Sequence, residues 1–176
     1  MLGSEALDRF LGYGFQDVLD VGSGAGRHAA IMREDGMRVA ELNWPCDYMD
    51  WAGRYDAIWC CHVLEHVSNI GAFLGKMADE CEVLCVTVPP AKHNIVGGHL
   101  STWNEGLLLY NLVMAGIDCS MARVGVYGYN ISVLVEVERF DLPELHRDRG
   151  DLELLQDYFP VSIPQNTDGR LGNINW

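Results

Sequence analysis

Three stretches of this chain carry residues suited to chemistry. The first is Asp20-Val21-Gly22-Ser23-Gly24-Ala25-Gly26, an acid followed by glycines at alternate positions. Bare backbone at such a turn lets a ligand come close, and the helix that opens after it presents free N–H groups. The second is His62-Val63-Leu64-Glu65-His66-Val67, which runs directly on from the apolar stretch at 57–61. The third is the loop at 91–101, which holds His93, Gly97, Gly98 and His99. A neutral imidazole is the side chain best placed to take a proton near neutral pH, so His66, His93 and His99 are the candidate bases.

Spacing narrows these readings. A dinucleotide fingerprint needs its third glycine three positions after the second. Here the interval is two, and Arg27 stands where that fingerprint wants Gly or Ala. No Lys-Ser/Thr pair follows, so the turn is not a P-loop. His62-x-x-Glu65-His66 matches the inverted zinc-protease pattern, which requires both histidines on one helix. His62 directly follows a strand, so the pair spans a turn. No third ligand on an accompanying helix follows, and no metal is expected.

The elements that must position these groups follow from periodicity. Residues 4–11 read as a short helix capped by Ser4. Residues 17–21 form an apolar, β-branched run of the kind buried in parallel sheets. A helix follows from Arg27 to Asp35, then a strand at 37–42. Between 42 and 55 there is too little chain for a full crossover and strand, so a loop is expected. Residues 57–61 are the next strand. Ser68 is read as the cap of a helix whose apolar positions are Ile70, Phe73, Leu74, Met77 and Cys81. A strand at 82–88 ends at Pro89-Pro90. Thr102 and Glu105 suggest a capping box for a helix that ends at Gly116. Residues 121–126 and 131–137 read as a β-hairpin. The alternation implies an α/β fold, a Rossmann-like doubly wound, mostly parallel sheet with a terminal antiparallel hairpin.

The strand-acid-glycine pattern, followed at the right distance by His62-Val63-Leu64-Glu65-His66-Val67, resembles the class I S-adenosylmethionine-dependent methyltransferases, over roughly residues 15–138. The resemblance implies S-adenosylmethionine as cofactor, held by Asp20, Gly22, Ser23, Gly24 and Gly26 at the turn. It implies a ribose contact at the end of the second strand, where Asn43 falls in place of the family's acid. Glu41, the nearest carboxylate, is expected on the opposite face of that strand. Asp47 and Tyr48 resemble the pair that holds the adenine amino group, and Cys61 and His62 the strand end that meets cofactor and acceptor. The family also has a helix and strand where this chain has residues 43–54, so that unit is trimmed. His99 resembles a family histidine at this place.

Bulk properties bound the function. The 176 residues carry 49% hydrophobic and 21% charged side chains, in keeping with one globular domain. Two parts are expected, a methyltransferase-like domain over 1–140 and a C-terminal extension over 141–176. The extension is read as packing on the domain or partly flexible, or else as a lid or homodimer contact anchored by Tyr158, Phe159 and Trp176. A net charge of −13 argues against nucleic acid as partner. The six cysteines, Cys46, Cys60, Cys61, Cys81, Cys85 and Cys119, form no C-x-x-C pair and read as reduced residues of a cytoplasmic protein. No signal peptide or membrane span is read. The resulting expectation is methyl transfer to a small-molecule or glycan acceptor. A catalytically inactive binding module is the alternative, and a nucleotide-binding oxidoreductase a more distant one.

Overall fold

The structure, a computed structural model, describes residues 1–43, 47–148, 150–164 and 166–176. Cys46 lies outside the described residues. Six strands form one sheet in the order β2-β1-β3-β4-β6-β5. They are β1 (Asp17–Val21), β2 (Arg38–Leu42), β3 (Tyr55–Cys61), β4 (Cys81–Val88), β5 (Arg123–Tyr127) and β6 (Asn130–Glu136). The first four run parallel, and β6 pairs antiparallel with both β4 and β5.

Period-two side chains divide the sheet into two covered faces. On one, Val18, Ala57, Trp59, Val83 and Cys85 pack with α1 (Ser4–Leu11) and with Met32 of α2 (Arg27–Glu34). On the other, Leu19, Ile58, Cys60, Leu84 and Val86 pack under α3 (Ile70–Glu80) and α4 (Glu105–Met114). Both faces being buried explains why the central strands read as nearly continuous apolar runs.

Helix starts differ from the sequence reading by one or two residues. Gly3, in the left-handed region, caps α1, and Ser4 is its first helical residue. Asn69, not Ser68, caps α3 by accepting from the Ala72 N–H. Asn104, not Thr102, caps α4 by accepting from the Leu107 N–H. Asx and Ser/Thr residues compete for the same job, and backbone direction chooses among neighbours. Cys81, read as the last apolar residue of α3, is the first residue of β4. Residues 47–54 carry only a 3₁₀ turn, Tyr48–Asp50, before β3 begins.

Beyond residue 141 the chain packs back chiefly on the face covered by α3 and α4. It passes through α5 (Asp151–Leu154), and Leu155, Phe159, Ile163 and Ile174 join the core. Ile174 pairs antiparallel with Val124. Trp176 stacks on Tyr127 at 5.8 Å between ring centres. An added Cβ on Gly125 would lie 2.1 Å from the Trp176 ring, so the glycine makes the seat for that indole. Among the described residues no helix is long and apolar enough to cross a membrane.

Candidate functional site

The carboxyl ends of β1, β2 and β3 open into a cavity of about 670 Å³. Its walls include Val21, Gly22, Asn43, Tyr48, His62 and Phe73. The glycine turn begins on this wall with Gly22, while Ser23, Gly24 and Gly26 lie beyond its lining. The Gly22 and Ser23 N–H groups donate to the Leu42 carbonyl oxygen at 2.8 and 3.1 Å, which ties the turn to the end of β2. Gly22, Gly24 and Gly26 all have positive φ, a conformation that disfavours a Cβ. The reason for bareness differs along the turn. An added Cβ on Gly22 would lie 2.2 Å from Val63 Cγ2, and one on Gly26 would lie 2.9 Å from Glu41 Oε2. On Gly24 it would meet nothing nearer than the Gly22 carbonyl oxygen at 4.0 Å. Gly24 is therefore the position free of an internal packing demand.

The residues nominated from sequence divide by place. Gly22, Asn43, Asp47, Tyr48, His62 and His66 line the cavity. Asn43 donates its Nδ2 to the Gly24 carbonyl oxygen at 2.9 Å, bracing the turn. Glu41 faces away, toward Arg33 at 2.6 Å. Asp47 caps the 3₁₀ turn by accepting from the Met49 N–H. The Tyr48 hydroxyl donates to Glu80 Oε2 at 2.7 Å, so Tyr48 contributes its ring as a wall rather than a free hydroxyl. Burial, the bond to Glu80 and its charge push that phenol up. Cys61 directs its sulfur to the opposite face, where an added Cβ on Gly3 would lie 2.9 Å from Sγ. Ser23 is half-buried and bonds its carbonyl oxygen to the Gly26 N–H.

Asp20 also sits on the far face, in register with Glu41 and Trp59. It is 1% exposed, and its Oδ2 has no hydrogen-bond partner. Burial first, then the charge of Glu41, pushes its carboxyl up to about 7, against the opposing pull of Arg33 and a backbone bond from Ala29.

A second group stands just beyond the carboxyl end of β3. His62, the residue after β3, holds φ at 58°, an uncommon conformation for a side chain of this size. Its N–H donates to the Thr87 carbonyl oxygen at 2.8 Å and its Nε2 lies 3.1 Å from Asn130 Oδ1. Burial pulls the imidazole down, but the contacts to Glu65 and Asn130 outweigh it and leave it above its ordinary value. Leu64–His66 is a 3₁₀ turn whose Glu65 is fully buried. His66 and His99 meet edge to face at 5.2 Å. His99 and His93 line a smaller cavity of about 250 Å³, with Pro90, Lys92 and Tyr129 also on its wall. The two cavities therefore meet at His66 and His99. Sequence reasoning named Val63 only as part of the stretch at 62–67, Phe73 only as a helix-face residue and Asn69 not at all, yet all three line the larger cavity. Their apolar or capping character carried no sign of it.

No protein-family model and no curated protein matches the chain. Solved structures match its fold. The 1,6-didemethyltoxoflavin-N1-methyltransferase of Burkholderia thailandensis, with 1,6-didemethyltoxoflavin and S-adenosylhomocysteine bound, is 18% identical, with a TM-score of 0.61 over 79% of this chain and 77% of that one. The magnesium protoporphyrin IX methyltransferase of Synechocystis PCC 6803, with S-adenosylhomocysteine bound, is 15% identical, with a TM-score of 0.59 over 77% of this chain and 82% of that one. A methyltransferase from Archaeoglobus fulgidus is 12% identical, with a TM-score of 0.58 over 75% of this chain and 91% of that one. The chain has the class I methyltransferase fold, as its sequence pattern led us to expect.

Proposed function

We propose that this chain is an S-adenosylmethionine-dependent methyltransferase acting on a small-molecule acceptor in the cytoplasm. One observation carries the reading. A cavity of about 670 Å³ opens at the carboxyl ends of β1, β2 and β3, in a fold shared with methyltransferases solved with S-adenosylhomocysteine. Its size suits a ligand of that class, and strand carboxyl ends are where open α/β sheets hold ligands. Gly24 supplies a second sign of fit, since no neighbouring side chain occupies the space its missing Cβ leaves. The trimmed segment before β3 still provides a wall, because Tyr48 packs edge-on to Phe73 at 5.0 Å.

In this reading the glycine turn holds the methionine end, with Asp20 supporting the turn from behind the sheet. Asn43 meets the ribose with one neutral amide where two charged acceptors are absent. Tyr48 and Phe73 wall the adenine, with Asp47 at its edge. The bound cofactor supplies an electrophilic methyl group on a sulfonium, whose charge already activates the leaving group. The protein's task is then alignment of the attacking atom. Proton removal from a hydroxyl or amine acceptor falls to the corner of Glu65, His66 and His99, between the two cavities. His93 stands at the exposed rim of the smaller one.

Titration calorimetry with S-adenosylhomocysteine tests the reading. One site per chain is expected. Absence of any heat of binding overturns it in favour of a non-enzymatic module.

A further inference from the structure

Glu65 faces His62 but has no hydrogen-bond partner. It is 0% exposed, and neither carboxylate oxygen makes a hydrogen bond. A buried carboxylate left so is costly, and the side chains around it show what could satisfy it. His62 Nδ1 lies 3.3 Å from Oε1, at ion-pair distance without hydrogen-bond alignment. His66 Nε2 lies 3.9 Å from the same oxygen. A ligand atom from each of Glu65, His66 and His99 falls within 4.8 Å of the others.

The surroundings prepare His66 as a ligand. Its Nδ1 lies 2.8 Å from the Gly98 carbonyl oxygen. A carbonyl only accepts, so the proton belongs on Nδ1, and the Nε2 lone pair is left toward Glu65. A histidine fixed by a backbone carbonyl through its other nitrogen is the usual support of a metal-bound imidazole. Backbone bonds bring His99 to the same place. The Leu100 N–H donates to the Glu65 carbonyl oxygen at 2.7 Å, and the His99 N–H to that of Val96 at 3.1 Å. Gly98, with φ at 82°, lets the loop lie against the His66 ring, since an added Cβ would be 3.3 Å from Nδ1.

We propose that Glu65, His66 and His99 form a binding site for one divalent first-row transition-metal ion, of which zinc is the type, at the seam between the two cavities. Two imidazoles and one carboxylate are a donor set for such ions rather than for calcium or magnesium, which take oxygen ligands. Three protein ligands leave positions open, the arrangement of sites that bind water or substrate. His66 lies on the larger cavity and His99 on the smaller, so an open position serves an acceptor oxygen. An ion there would lower the pKa of that oxygen and make a histidine base unnecessary.

The test uses the full chain, stripped with chelator and titrated with cobalt(II), followed by visible d–d absorption, and then with zinc by competition. One equivalent is expected, with binding weakening as pH falls and the imidazoles protonate. His99→Ala and Glu65→Gln should each weaken binding by at least about 100-fold. His146→Ala, at an exposed histidine of the C-terminal segment, should leave the titration unchanged. His99 is half-buried on a mostly exposed loop, so its variant remains informative if Glu65→Gln does not fold. Sub-stoichiometric cobalt, or full binding retained by His99→Ala, overturns the site. S-adenosylhomocysteine calorimetry on the stripped protein separates the two readings: heat of binding without metal binding refutes the metal site alone.

Discussion

Replacing Asp20 by Asn should change how the stability of this protein depends on pH. Asp20 lies at the sheet end of the glycine turn, buried, with one oxygen unpartnered and Glu41 nearby. These surroundings move its carboxyl from 3.8 up to about 7. A shift of roughly three units is worth about 4 kcal/mol at 1.36 kcal/mol per unit. The sign follows from linkage. Below the unfolded value the carboxyl is protonated in both states and makes no difference. Between about pH 4 and pH 7 the unfolded chain releases the proton and the folded chain keeps it, so stability is progressively lost as pH rises. Above the folded value the loss is complete. Asn keeps the shape and cannot ionise, so any fixed penalty from its buried amide is independent of pH. Urea unfolding of both proteins from about pH 4 to about pH 8 should show the variant gaining about 4 kcal/mol relative to the parent, nearly all of it below about pH 7. The comparison must be a difference. His62 titrates above its ordinary value, so its stabilising contribution is also lost as pH rises. A gap between the two proteins that stays constant, or that closes in the other direction, would falsify the account of Asp20.

Other expectations follow from single contacts. Gly24→Ala should cost only about 1–2 kcal/mol of backbone strain, measured by urea unfolding, yet abolish S-adenosylhomocysteine binding in calorimetry. Gly22→Ala should destabilise more, because its Cβ collides with Val63, and adding Val63→Ala should restore part of the loss. Trp176→Ala should lower stability by about 2–4 kcal/mol in the same assay, since the indole covers Gly125, stacks on Tyr127 and carries Arg9 at 4.6 Å. Burial pushes the thiols of Cys60, Cys85 and Cys119 up, and those of Cys61 and Cys81 up to about 12. All five are free. In a Cys46→Ala background the four buried ones, Cys60, Cys81, Cys85 and Cys119, should react with a disulfide reagent only on unfolding, and more than one promptly reacting thiol in the native protein would contradict their burial.

The helices were legible because one buried face imposes a local period, and the central strands because burial on two faces leaves short continuous apolar runs, and both signals are written in neighbouring residues. The glycine turn was legible for the same reason, since positive φ is a demand made position by position. Helix starts were legible only to within a residue or two. Ser68 and Asn69 have equivalent capping chemistry, and the direction of the incoming backbone selects Asn69. Cys81 is apolar enough to end a helix or begin a strand, and pairing with Tyr55 decides for the strand. The C-terminal segment shows no period, yet Ile174 finds Val124 and Trp176 finds Gly125. The Glu65, His66 and His99 cluster was the least legible. His99 lies beyond α3 and β4 in the chain, and nothing local marks it as a neighbour of Glu65. The bonds from Leu100 to the Glu65 carbonyl and from His66 to that of Gly98 bring the two loops together. Sequence spacing records which residues share a helix face or a strand edge. Which loops meet at the end of a sheet depends on the order of its strands, and that order is set by packing over the whole domain.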